Sequence, residues 1–219
     1  MSIIFNNIDN MSFSDINDES EFIPLMTSED EEALEKESLP EVLPILPLTN
    51  TVLFPGVVIP INAGRDMSIK LIKDANKSNK LIGVIAQKNI KIENPNIENI
   101  YSIGTVAKIL RVLKMPDGNT TVIIQGKKRF KIKSVVKTDP YIQATIDPVS
   151  DKNQKKPDSK FTATIDAIKD IALKIIKENP NIPSEASFAI KNIHSSSFLI
   201  NFVVDSSNSM MVKLKNSKP

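Results

Sequence analysis

Five prolines, at positions 40, 44, 47, 55 and 60, punctuate LPEVLPILPLTNTVLFPGVVIPINAGR (39–65), a stretch with nearly the apolar content of a protein core. Proline fixes φ near about −65° and has no N–H to give to a ladder. Within sheets it is held to edges, strand starts and bulges. The β-branched runs between the prolines therefore predict short strands cut to length. Pro40 and Pro44 fall in the approach from the N-terminal tail, and Pro47 where the first strand bends. Pro55-Gly56 makes a turn or kink, and Pro60 breaks the run before Gly64-Arg65. Each proline nitrogen is expected at an edge or rim.

Strand signals continue to residue 149. LIGVIAQK (81–88) is a continuous apolar run, as in a buried strand. IGTVAKILRVLKM (103–115) is ambiguous by periodicity, since its apolar spacing of three also suits a helix. MPDGNTT (115–121) resolves it: proline presets the first corner, glycine takes positive φ, and β-branched runs flank the pair, so it predicts a hairpin. TVIIQGKKRFKIKSVV (121–136) follows as a long strand with a bulge or bend at Gly126. PYIQATIDPV (140–149) alternates, Ile142, Ala144 and Ile146 against Tyr141, Gln143 and Thr145. One helix interrupts the strands at 67–79, with Ile69, Ile72 and Ala75 inward and Asp66 as its N-cap. ENPNIEN (93–99) reads as a loop. About six strands and one helix, mostly joined by turns, argue for a small barrel.

The period then changes. SDKNQKKPDSK (150–160) is a polar linker, capped into a helix by Asp158 or Ser159. Phe161, Ile165, Ile168, Ala172 and Ile175 line its inner face, with Ile171 and Ile176 widening it. Asn179-Pro180 ends it. A second helix from Ser184 turns Phe188, Ala189 and Ile193 inward, and FLINFVV (198–204) is a third apolar segment. The fold class is thus α+β. Its parts are a disordered acidic tail (1–38), a β domain (39–149), a linker (150–159), a helical lobe (160–205) and a polar tail (206–219).

The charge is uneven. Residues 1–39 hold eleven acids and one base, Lys36, a net −10, while the remainder has 27 bases and 15 acids, a net +12. An acidic head on a basic body reads as a solubilising leader. No apolar run approaches the ~20 residues of a membrane helix, and MSIIFNNIDNMSF lacks the basic start of a signal peptide. The chain has no cysteine, which excludes disulfides, thiol catalysis and Cys-ligated zinc. All of this fits a cytoplasmic protein.

Catalytic motifs are missing from these 219 residues. Neither a phosphate-cradling G-x-x-x-x-G-K-[ST] nor a G-x-S-x-G occurs. His194, the single histidine, reads as a solvated helix-end residue. The run Lys127, Lys128, Arg129, Lys131, Lys133 is the best candidate for nucleic acid, with Arg129, Lys131 and Lys133 on one strand face. Single-strand readers also stack bases on exposed aromatics, and this chain has no Trp, two Tyr and nine Phe. RNA binding through this strand is the alternative function.

Six separated blocks, in order, resemble the N-terminal domain of ATP-dependent Lon proteases. They are LP-x-LPL (43–48) with FPG (54–56), IP (59–60) and GR (64–65), then VIAQK (84–88), GTVAKI (104–109), PDG (116–118), G-x-x-RF-x-I (126–132) and FLINFVV (198–204). The resemblance covers about residues 40–205. It implies a PUA-like six-stranded β-barrel lobe with one helix, followed by a partial helical lobe. It also implies recognition of unfolded, damaged or degron-bearing proteins, and their delivery to an ATPase ring and a Ser-Lys peptidase further along a parent chain. That parent would use ATP and Mg and assemble as a homo-hexamer. The present chain would carry no catalytic residue and no cofactor. It ends near where the family's long linking helix should run, so it is expected to be a fragment, a truncated product or a stand-alone relative. Adaptable recognition suits methionine and turns. The candidate substrate-binding residues are therefore Arg65, Asp66 and Met67 at the helix start, and Met115, Pro116, Asp117 and Gly118 at the hairpin tip. A third role is architectural, with the helices after 158 helping to assemble the ring.

Overall fold

The computed structural model describes residues 38–115, 120–149, 158–178, 185–193 and 195–205. The elements run β1 (Val42–Leu48), β2 (Val58–Ala63), α1 (Asp66–Lys77), β3 (Leu81–Ala86), β4 (Ile103–Lys114), β5 (Thr120–Lys137), β6 (Gln143–Val149), α2 (Ser159–Glu178) and α3 (Glu185–Asn192). A further helix, α4, spans 196–205. The 93–99 segment is not all loop, because Ile97–Asn99 forms a 3-10 turn capped by Asn96.

The six strands form one sheet in the order β2-β5-β4-β3-β1-β6, and β5 also pairs with β6. Five strands thus complete a circuit of pairings, and β2 is added outside it on β5. The 18-residue β5 makes the circuit possible. Its first half pairs with β2 and β4, its second half with β4 and β6. Register shifts let it bend between them, opposite Thr105/Ala107 and again at Ile132/Ser134 and Val135/Lys137. Each inserted residue kinks the strand and increases its twist. The first shift begins at Gly126, the expected bulge.

Proline decides which edges stay unpaired. β1 donates from the Ile45 N–H to the Ile142 carbonyl and accepts from the Gln87 N–H at the Leu48 carbonyl, both at 2.8 Å. Backbone groups alternate in direction along a strand, so Pro47 directs its nitrogen away from β3. β6 pairs only with Val42, Leu43 and Pro44, which leaves Pro47 a ladder partner, Ile85, on one side only. Pro60 lies on β2, which pairs with β5 alone. The Gly126 N–H reaches the Val57 carbonyl at 2.9 Å, so by the same alternation Pro60 faces outward. Edge prolines of this kind block further strand addition. Pro44 corrects the expectation: it lies within β1, opposite Gln143, rather than in the approach to it, and the strands are not cut at Pro47 or Pro60, because the registers of β1 with β3 and of β2 with β5 run through them without a shift.

Two apolar clusters fill the molecule. Inside the circuit, Leu43, Ile45, Ile85, Ile100, Val106, Phe130, Ile142, Ala144 and Ile146 are buried together. Phe130 is fully buried, and a Cβ on Gly83 or Gly104 would stand 2.8 or 3.1 Å from its ring tip. The larger cluster joins the outer sheet face and α1 to Ile165, Ala172, Ile190, Ile193, Phe198 and Leu199 of the helical segments.

The helical faces differ in part from the periodicity. Ile165 and Ala172 are buried, but Ile171 and Ile175 are exposed. Phe188 is 66% exposed, while Ala189, Ile190 and Ile193 point inward. A short helix has too few turns for its pattern to fix a face; here the face that meets α2 and the sheet is set by Ala189 and Ile190. Asp158 caps α2 as expected, accepting from the Phe161 N–H at 2.7 Å. Asp66 does not cap α1. Arg65 holds the N-cap position without a side-chain cap bond, and Asp66 is the first helical residue. Among the described residues no helix is long and apolar enough to cross a membrane. The linker expected at 150–159 and the two tails lie almost wholly outside the described residues, as do His194 and Asn179-Pro180.

One turn draws these parts together. The Gly56 N–H donates to the Gly126 carbonyl at 2.9 Å, and the buried Thr105 hydroxyl donates to the Leu53 carbonyl at 2.7 Å. Asn201 of α4, 5% exposed, donates to the Pro55 carbonyl at 3.2 Å and accepts from Arg129 at 2.9 Å. A Cβ on Gly126 would lie 2.1 Å from the Phe54 carbonyl oxygen, whereas one on Gly64 meets nothing within 4 Å. In urea denaturation we expect Gly126→Ala to lose about 3 kcal/mol, because backbone must move, and Gly64→Ala to stay within about 0.5 kcal/mol of the parent. Equal effects would contradict this packing. Burial also raises Asp205, at the end of α4, to about 6 from the usual 3.8. A carboxyl whose folded pKa is raised is destabilised as it ionises. Stability relative to Asp205→Asn should therefore fall as pH rises from about 4 through 6, and a flat difference would count against the burial.

Candidate functional site

Where β6 leaves β1, Ile45, Leu46 and Pro47 line the floor of a groove. α1 supplies Met67, Ser68 and Leu71, with Arg65 at its N-cap. The loop after β3 supplies Pro95 and Asn96, and the β5–β6 connection supplies Thr138, Tyr141 and Ile142. The volume is about 120 Å³. An apolar cavity of ~150 Å³ holds a benzene ring; the groove is somewhat smaller and suits one aliphatic side chain.

Its polar rim is held in place. Arg65 Nη2 donates to Gln87 Oε1 at 3.0 Å and to Thr49 Oγ1 at 3.2 Å. Gln87, 6% exposed, donates its amide to the carbonyls of Asn89 and Ile92, both at 2.6 Å. One buried glutamine therefore fixes the guanidinium and folds the loop that carries Pro95. The Asn96 side chain accepts from Glu98 N–H, and Asn99 returns the bond to Asn96 N–H, which stiffens the far lip. Tyr141 donates to Asp74 at 3.1 Å. Desolvation, then the bond to Asp74 and its charge, hold the phenol above its ordinary pKa, so it stays a neutral donor.

The residues singled out from sequence separate. Arg65 and Met67 both line the groove, and Met67 is 38% exposed. Asp66 is exposed and is not part of the lining. Met115 is half-buried at the end of β4, away from the groove, and Pro116, Asp117 and Gly118 lie outside the described residues. The basic run does not make one continuous face. Lys127 and Lys128 sit in the Gly126 bulge, Arg129 is turned to Asn201, and the shift at Ile132/Ser134 takes Lys133 out of alternation. Lys131 is exposed, and Lys133 lies 3.9 Å from Asp147 on the surface. Among the described residues no group of His, Cys, Asp or Glu could hold a metal ion.

Gln87, Pro95, Tyr141 and the β1 floor carry no local sequence signal of a site. Their signal is tertiary, since Arg65 and Gln87 are 22 residues apart and Tyr141 and Asp74 are 67. The GR and VIAQK blocks each held one half of the Arg65–Gln87 pair.

Comparison with known proteins agrees with this architecture. Residues 42–214 match the model of the ATP-dependent protease La (LON) substrate-binding domain. A Lon protease of Flavobacterium johnsoniae is 62% identical over 92% of this chain and 25% of its own length. A Lon protease of Cytophaga hutchinsonii is 48% identical over 86% of the chain and 23% of its own. The chain thus spans about a quarter of the length of the curated relatives it matches. The solved N-terminal domain of a Mycobacterium avium complex Lon protease superposes with a TM-score of 0.60 at 21% identity, covering 76% of this chain and 81% of that one, which speaks to the fold alone. On the family match and the extent of the identity, this chain belongs to the Lon substrate-binding domain family.

Proposed function

We propose that this chain is the substrate-recognition and assembly region of an ATP-dependent Lon-type serine protease, and that it binds unfolded or degron-bearing proteins for degradation. The observation that carries this reading is the apolar groove between β1 and α1, with half-exposed Met67 on its wall and a fixed polar rim. Unfolded chains expose apolar side chains, and a small cleft with an adaptable methionine accepts many of them. In this reading the closed circuit of strand pairings is a PUA-like barrel, a rigid frame for the groove. ATP, Mg and the peptidase residues belong to other parts of a longer cytoplasmic parent. Weak single contacts would be amplified if six copies surround one pore. The helical segments would hold copies together, since Ile171, Ile175 and Phe188 remain exposed and such apolar area is stabilised by a partner.

A single groove without large anchors supports a Kd on the order of 10 μM or weaker for a denatured model protein. Calorimetric titration of residues 1–219 should give this range. Met67→Asp, which sets a charge against the apolar floor, should weaken binding at least tenfold while leaving the thermal midpoint near that of the parent. Undiminished binding by the variant would remove the groove from the account.

A further inference from the structure

Arg65 is placed as an apolar groove rarely needs. Arg65 lines the groove, yet among the described residues both of its side-chain partners, Thr49 and Gln87, are neutral and both meet the same Nη2 nitrogen. A guanidinium offers five donors in a fixed fork that matches a carboxylate. No carboxylate among the described residues takes the others. Neighbouring Asp66 is exposed and makes no ion pair with it, and Asp74 is engaged by Tyr141. The first turn of α1, without a side-chain cap, lies on the same lip and adds its positive end to the field.

The cleft beside this charge admits one apolar side chain, and Ile45, Leu46 and Leu71 of its lining are 1–2% exposed and without charge. An apolar side chain with a carboxylate held a few ångströms away by the same residue is the chemistry of the last residue of a polypeptide. We propose that the groove captures the C-terminal residue of a protein substrate, with the apolar side chain in the cleft and the α-carboxylate on Arg65. This rests on the groove being the substrate site, and it narrows the substrate class to chains with a free apolar C-terminus. Internal segments would fill the cleft but leave the guanidinium facing a neutral carbonyl.

The test compares two peptides that differ in one group. A ten-residue peptide ending in Phe-Leu is prepared as the free acid and as the carboxamide, and each is titrated into the full 219-residue chain by ligand-observed NMR to millimolar concentration. The free acid should bind at least tenfold more tightly. Arg65→Gln should bring it down to the level of the amide and leave the amide unchanged. Arg65→Lys, which keeps the charge but loses the fork, should fall between. Met67→Asp should weaken both peptides. Equal binding of acid and amide by the parent chain would overturn the C-terminal inference while leaving the groove as a site for apolar segments. Failure of both peptides, with denatured protein still bound in a Met67-dependent manner, would overturn it too. Failure of both peptides and of denatured protein would overturn the groove itself.

Discussion

The turn Phe54-Pro55-Gly56 rests on the backbone of Gly126, and the remaining architecture depends on that contact. With a Cβ at 126 only 2.1 Å from the Phe54 carbonyl oxygen, no other residue fits there without displacing backbone. Gly56 takes a φ of 82°, in the region glycine favours. The contact sets where β2 begins, because the Val57 carbonyl accepts from Gly126. It also sets where β5 bulges, so that the strand can turn from β2 and β4 toward β6. The same turn presents the Pro55 carbonyl to Asn201. That carbonyl and Arg129 together fix α4 against the sheet. Among the described residues no buried side-chain nitrogen or oxygen lacks a partner, so this buried polar bridge adds specificity without an unsatisfied group.

The groove follows from a second constraint on the same frame. Proline at 47 has no N–H for a neighbour on its outer side, and β6 departs after Pro44. The floor of β1 is thereby left open beside α1. Arg65 and Gln87 then tie the start of α1 to the end of β3, and the loop through Pro95 and Asn96 folds around the glutamine amide. The groove is thus assembled from the ends of rigid elements, the usual place for a binding site on a β scaffold.

Much of this was legible in the sequence, wherever the signal is local. The prolines at 47 and 60 marked unpaired strand edges because their missing N–H acts at the residue itself, but they did not set strand limits, since β1 runs through Pro44 and Pro47 and β2 through Pro60. The hairpin after Lys114, the bulge at Gly126 and the alternation through Ile142, Ala144 and Ile146 were equally readable. Resemblance supplied the family, and the blocks that carried it turn out to touch one another: FPG, the G-x-x-RF strand and FLINFVV meet at Asn201. Faces of short helices were not legible. Phe188 is as apolar as any residue in its helix and yet points outward, because eight residues give periodicity little leverage. Asp66 met the composition rule for a cap but lies one residue inside the helix. The groove was half legible: Arg65 and Met67 stood out as a helix start, but Gln87, Pro95 and Tyr141 join them only through tertiary folding. Charge runs misled for the same reason, since bulges reorient alternate lysines of β5.

In the proposed function, unfolded polypeptide contacts the chain at the β1–α1 groove. The seven methionine methyls offer direct reporters, with Met67 in the groove and Met115 at the far end of β4. With ¹³C-methyl methionine labelling, addition of a denatured protein should shift or broaden the Met67 methyl and leave the Met115 methyl in place. A perturbation confined to Met115, with Met67 unmoved at saturation, would contradict recognition at this groove.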